Sequence, residues 1–182
     1  TNLCECDWIS DELKHQGVIA KIGPYISFST LFDQNIGLEA RSDFLKREKV
    51  FMTYSSSGRD DFYGINELID FFSSRSELKL IVVGSSGDSN TSYPSNIKFL
   101  GRIAREDVLT LYATVTGFIR IPYHDGLSYS VLEALWHAVP VAYNKNLVGC
   151  HYVASKHDIE KFVSDACSNP VNYSGRQYVY DN

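Results

Sequence analysis

The stretch Ile121-Pro122-Tyr123-His124-Asp125-Gly126-Leu127-Ser128-Tyr129-Ser130-Val131-Leu132-Glu133-Ala134-Leu135 holds the best candidates for chemistry. An apolar run enters a glycine-containing turn and leaves it as a helical pattern. Asp125 lies in the turn and Glu133 lies in the start of the helix. The amides and dipole of a helix start suit a phosphate. A carboxylate close by can accept hydrogen bonds from a pair of hydroxyls, as on a ribose. The same residues have a plainer reading. Ser130-x-x-Glu133 fits a capping box, in which the glutamate bonds back to the backbone, and Asp125-Gly126 fits an ordinary turn. His124 in the same loop either contacts a ligand or is a solvated loop histidine.

A second loop, Ser55-Ser56-Ser57-Gly58-Arg59-Asp60-Asp61-Phe62-Tyr63-Gly64, is small and flexible, carries one cation and leads into a helix. It suits an anion, and it equally suits a polar surface. It is neither G-x-G-x-x-G nor G-x-x-x-x-G-K-[ST]. Gly126-Leu127-Ser128-Tyr129-Ser130 is one glycine short of a hydrolase nucleophile elbow. No histidine follows Asp158 or Asp165, since His151 and His157 precede both, so the order of a hydrolase triad is absent.

The five histidines, His15, His124, His137, His151 and His157, show no metal-ligand spacing, and His137 reads as structural. Cys4 and Cys6 are one residue apart, unlike a zinc knuckle, and with Cys150 and Cys167 they make no disulfide framework. Reduced thiols are the expectation, and the sequence shows no metal cluster.

The elements that must position these residues follow from periodicity. A helix is expected over 7–17 and a strand over 18–22, with a loop and one short helix over 27–47. From residue 49 the pattern is regular. Strands are expected over 50–54, 78–83, 97–100, 118–121 and 140–143. Between them, Ile65, Leu68, Ile69 and Phe72 form a one-face-buried helical stripe, as do Val108, Leu111, Tyr112 and Val115. Residues 130–137 read as a helix. Ile159, Phe162, Val163 and Ala166 make a last stripe before Pro170. Such alternation with buried strands predicts one α/β domain, a Rossmann-like, doubly wound parallel sheet. Ligands then sit beyond the carboxyl ends of the strands, near the loops at 55–64, 84–95, 101–104 and 122–130.

Composition narrows the function. At 44% hydrophobic and 21% charged, the 182-residue chain is globular, with room for one ordinary domain. Its net charge of −5 argues against a general nucleic-acid binder. No apolar run approaches a membrane span of about 20 residues. The first residues show no basic segment followed by an apolar one, so a cytoplasmic protein is expected, at most at the inner face of a membrane. Both ends read as cut, and a larger parent protein is expected.

The stretch from Asp125 to Ala134 resembles the E-x7-E signature of retaining glycosyltransferases with the GT-B fold, family GT4. Leu80-Ile81-Val82-Val83-Gly84, Asn96-Ile97-Lys98-Phe99-Leu100-Gly101-Arg102-Ile103, Arg105-Glu106-Asp107-Val108-Leu109 and Val139-Pro140-Val141 resemble further landmarks of that family, in its order. The resemblance implies the C-terminal, nucleotide-sugar-binding half of a two-domain enzyme that moves a hexose from a nucleoside-diphosphate sugar to an acceptor hydroxyl, with no required metal. Residues 1–30 would be the interdomain connection, and 31–182 the donor domain without its final helix. The acceptor, a glycan or lipid, would be bound by the missing half, and the isolated domain would transfer poorly.

The resemblance also implies roles for particular residues. Glu133 would hold the ribose, and Asp125, the second catalytic carboxylate, would face the donor sugar. Gly126, Leu127 and Ser128 would present amides to the diphosphate. Gly101, Arg102 and Ile103 would line the base, and Arg59 would bind phosphate. Gly58, Gly84, His124 and Leu132 complete the expected donor-binding set. Three positions depart from the family pattern. Asp125 replaces a glutamate, Tyr63 replaces a lysine before Gly64, and Ala138 replaces a glycine before Val139-Pro140-Val141. The first two lend weight to a second possibility, a non-catalytic nucleotide-sugar-binding module or a regulatory Rossmann-like domain.

Overall fold

The computed structural model describes residues 2–4, 6–22, 49–56 and 58–182. The expected loop and helix over 27–47 lie outside them. Six parallel strands form the main sheet: β3 (Lys49–Tyr54), β4 (Leu78–Val83), β5 (Ile97–Gly101), β6 (Gly117–Arg120), β7 (Val141–Tyr143) and β8 (Cys150–Tyr152). Their spatial order is β5-β4-β3-β6-β7-β8. This is the doubly wound order with its switch point between β3 and β6, where the direction of winding reverses and a crevice opens at the carboxyl ends. The single α/β domain with a Rossmann-like sheet is thus as expected.

Strand alternation sends side chains to two separate cores. Met52, Phe118, Val141 and Tyr143 face one layer, with Tyr112, Val131, Leu135 and Trp136. Phe51, Leu80, Ile119 and Ala142 face the other, with Ile65, Leu68, Phe72, Ile159 and Phe162. The helices supply these layers: α2 (Ile65–Ser73) and α5 (Lys156–Ser168) on the second face, α3 (Arg105–Thr114) and α4 (Tyr129–Trp136) on the first. The expected stripes on α2 and α5 are therefore their buried faces. Ser155 caps α5 by accepting from the Asp158 amide.

Three elements were not legible from periodicity. Strand β1 (Asn2–Cys4) pairs in parallel with β2 (Ala20–Ile22), and the helix α1 (Asp7–His15) lies between them. Strand β8 has only three residues. Helix α6 (Tyr173–Asp181) packs on α4, stacking Tyr180 on Trp136 at 6.4 Å between ring centroids. No helix among the described residues is long and apolar enough to cross a membrane.

The end of α4 aims the chain into β7. The Ala138 amide donates to the Leu135 carbonyl at 2.8 Å and the Val139 amide to the Ala134 carbonyl at 2.9 Å. These are the two bonds of a Schellman stop, which calls for a left-handed residue. Ala138 supplies it at φ 54°, alone among the described non-glycine residues in having positive φ. A glycine would hold this conformation without the cost of a Cβ, about 1–2 kcal/mol.

Candidate functional site

A cleft of about 950 Å³ opens at the switch point, against the carboxyl ends of β3, β4 and β6. Its volume is in the range of small-molecule sites. One wall is apolar, from Ile103, Val108 and Leu109 at the start of α3. The opposite wall is the start of α4, with Leu127, Ser128, Tyr129, Ser130 and Glu133. Three arginines, Arg102, Arg105 and Arg120, line the cleft with two carboxylates, Asp125 and Glu133. Gly84 forms part of the floor at φ 90°, and a Cβ there would come within 2.3 Å of the Ser55 carbonyl oxygen. Only glycine allows the ends of β3 and β4 to approach this closely.

Helix α4 begins one residue before the expected position. Its N-cap is Ser128, whose side chain makes no capping bond and instead meets the Ser130 hydroxyl at 3.0 Å. Ser130 is therefore inside the helix, three residues ahead of Glu133 on the same face. The capping-box reading falls. Glu133 is bonded through Oε1 to Arg105 Nη1 at 2.6 Å. The Glu133 side chain is 14% exposed and the Arg105 side chain 57%. The bridge joins α3 to α4 across the cleft.

Asp125 has more partners. Arg120 donates to it from Nε at 2.6 Å and from Nη2 at 3.0 Å. The Tyr143 hydroxyl lies 3.2 Å from its Oδ2 and 2.9 Å from the Gly126 carbonyl. Trp8, from α1, donates its indole N–H to the Asp125 carbonyl at 3.0 Å. Arg120 sits at the last position of β6, only 8% exposed, with Tyr63 5.0 Å from its guanidinium. Burial opposes its charge, but the hydrogen bond and charge of Asp125, with help from Tyr143 and Tyr63, hold its pKa above the ordinary arginine value. Burial and then the Asp125 charge push the Tyr143 hydroxyl well above the usual tyrosine range.

The structure brings some of the expected residues together and leaves others apart. Gly84, Arg102, Ile103, Asp125, Leu127, Ser128 and Glu133 all line the cleft. Arg59 and Gly58 do not. They line a separate shallow hollow, where the Arg59 guanidinium lies 4.3 Å above the Phe62 ring. The reason is Asp60, which accepts from the Ser55 and Ser85 hydroxyls and so fixes the turn. His124 points to α1, with Nε2 3.0 Å from Glu12 Oε2. Leu132 is 3% exposed and part of the core, since one helical step turns it away from Glu133 and toward the sheet. Gly101 is buried at the end of β5, its amide donating to the Ser85 carbonyl at 2.9 Å and its carbonyl accepting from Gly84 at 2.7 Å. Gly126 offers its carbonyl to Tyr143.

Sequence reasoning missed Arg105, Arg120 and Tyr143 as site residues. A signal existed for Arg120, a charge inside the otherwise apolar Gly117-Phe118-Ile119-Arg120-Ile121. Among the described residues, no three His, Cys, Asp or Glu side chains gather as metal ligands would. The Cys150 thiol, pushed up to about 12 by burial, stays protonated at neutral pH.

No protein-family model matches the chain, and no curated protein matches it in sequence. Solved structures do match. Sucrose-phosphate synthase from Thermosynechococcus elongatus superimposes with a TM-score of 0.74 over 98% of this chain and 53% of its own, at 15% identity. WaaG, a glycosyltransferase involved in lipopolysaccharide biosynthesis, gives 0.67 over 98% and 57%, at 17% identity. The pneumococcal O-GlcNAc transferase GtfA, solved with UDP and GlcNAc, gives 0.57 over 98% and 40%, at 15% identity. The fold is that of a GT-B glycosyltransferase domain. The chain spans about half the length of the first two of these structures. Tyr63 turns its ring to Arg120, and Ala138 sits in the left-handed stop after α4.

Proposed function

We propose that this chain is the donor-binding half of a retaining GT4-type glycosyltransferase, moving a hexose from a nucleoside diphosphate to an acceptor hydroxyl. The observation that carries the reading is the position of Glu133. It lies on the cleft wall at the sheet's switch point, five residues beyond the N-cap of α4, with three arginines around the same space. In this reading the base lies against Ile103, Val108 and Leu109, and Glu133 accepts from the ribose hydroxyls in place of Arg105. The diphosphate sits at the start of α4, where the helix dipole, Arg102 and Arg105 favour negative charge. Charge on the departing diphosphate is stabilised by these fixed donors, without a required metal. The acceptor, a glycan or lipid hydroxyl, is held by another domain, and the reaction takes place in the cytoplasm or at the inner face of a membrane.

A second reading is favoured by one observation. Both carboxylate oxygens of Asp125 are bonded to Arg120, so that carboxylate is not presented openly to a sugar. A module that binds a nucleotide sugar without transfer fits this geometry.

Calorimetry of the chain with UDP, GDP and ADP tests the proposal. One nucleotide is expected to bind with micromolar-to-millimolar affinity, and Glu133→Ala to weaken it by about 1–3 kcal/mol. Three flat titrations, or affinities unchanged in the variant, would remove the assignment.

A further inference from the structure

We infer that Arg120 and Asp125 are a buried positioning pair for the turn at 125–128, and that Asp125 serves the donor through the backbone it anchors and not through its own carboxylate. This rests on the donor-binding reading above and departs from the sugar-facing role that the resemblance implied for Asp125.

Arg120 and Tyr143 are register partners on β6 and β7, so their side chains leave the same face of the sheet. Both converge on Asp125, five residues beyond Arg120. The turn is thus fastened to the ends of two neighbouring strands. Trp8 fastens it a third time, at the Asp125 carbonyl, and Tyr143 also reaches the Gly126 carbonyl. The next two residues, Leu127 and Ser128, are cleft wall, and α4 begins directly after them.

The pair is a costly way to stabilise a fold. Its side chains are only 9% and 13% exposed, and an apolar pair at such a position is often as stable or more so. One guanidinium nitrogen, Nη1, is buried with no hydrogen-bond partner among the described residues, which adds to the cost. Phe118, two residues earlier on the same face of β6, is fully buried without any charge. What the charged pair adds is a two-point, directional tie that an apolar contact lacks. To meet a sugar with its carboxylate, Asp125 would first have to leave that bidentate bond.

The test compares Asp125→Asn, Arg120→Met, the double variant and Arg120→Lys. Two readouts are used. The first needs no ligand: hydrogen exchange of the Trp8 indole N–H, followed by NMR, where only Trp8 and Trp136 give indole signals. The second is titration with UDP, GDP and ADP and with UDP-glucose, GDP-mannose and ADP-glucose. Each of the first two variants should exchange the Trp8 proton roughly tenfold faster and bind the free nucleoside diphosphate about tenfold more weakly. The double variant should lose far less than the product of the two, and Arg120→Lys should fall between. The inference is overturned if Asp125→Asn leaves the exchange and the free-diphosphate affinity within about twofold while weakening only the sugar nucleotide. It is also overturned if the two losses simply multiply. If the unaltered chain binds no nucleotide, the donor-binding reading fails, and the exchange cycle still decides whether the pair holds the turn.

Discussion

Arg120–Asp125 and Arg105–Glu133 stand in the same cleft, the first bidentate and nearly sealed, the second a single contact whose arginine is 57% exposed. Both join an arginine to one of the two carboxylates that the sequence singles out. In the sealed pair, neither charge can leave without stranding the other in a poorly solvated place. In the open pair, Arg105 can swing into water, and the Glu133 carboxylate, itself only 14% exposed, is then matched by ligand hydroxyls that take the place of the arginine. Equal charges in one cleft therefore suit opposite tasks, one holding a turn and the other exchanging partners with a ligand.

The largest effect should come from breaking the sealed pair. Asp125→Ala leaves the Arg120 charge buried and unpaired and should lower the unfolding free energy by about 3–5 kcal/mol in a urea titration. A loss near zero would mean that the pair is hydrated in solution and that the contrast is false. Next in size is Glu133→Ala. Its expected loss is in nucleotide affinity, while its unfolding free energy should change by less than about 1 kcal/mol. Equal damage to stability would make Glu133 a structural residue like Asp125. The smallest effect is expected from Arg105→Ala, at most about 1 kcal/mol in stability and erased in 1 M salt, where the screening length is roughly 3 Å. A salt-independent loss would show that this bridge too is sealed.

Much of this architecture was legible beforehand. The strands at 50–54 and 78–83 and the helical stripes at Ile65–Phe72 and Ile159–Ala166 stood out because each buries a whole face, and burial writes a period into the sequence. Strand β8 and helix α6 left no such trace. β8 is three residues long with partly exposed side chains, and α6 buries only Gly175 and Val179. The site was legible in the same uneven way. Glu133 and Asp125 were visible as carboxylates around a turn. Arg59 was the only cation in its loop and drew attention for that reason, yet its position depends on Asp60 reaching Ser85 from another strand's end.

The alternation of elements, the parallel sheet and the location of the site at its carboxyl edge are properties of the sequence itself, because hydrophobic period and chain connectivity leave few other ways to bury those faces. Which arginines meet which carboxylates was decided only in three dimensions. Arg105 and Glu133 are 28 residues apart and Trp8 and Asp125 are 117 apart. Such contacts depend on how the strands register and how deeply each side chain is buried, and neither quantity has a local signature along the chain.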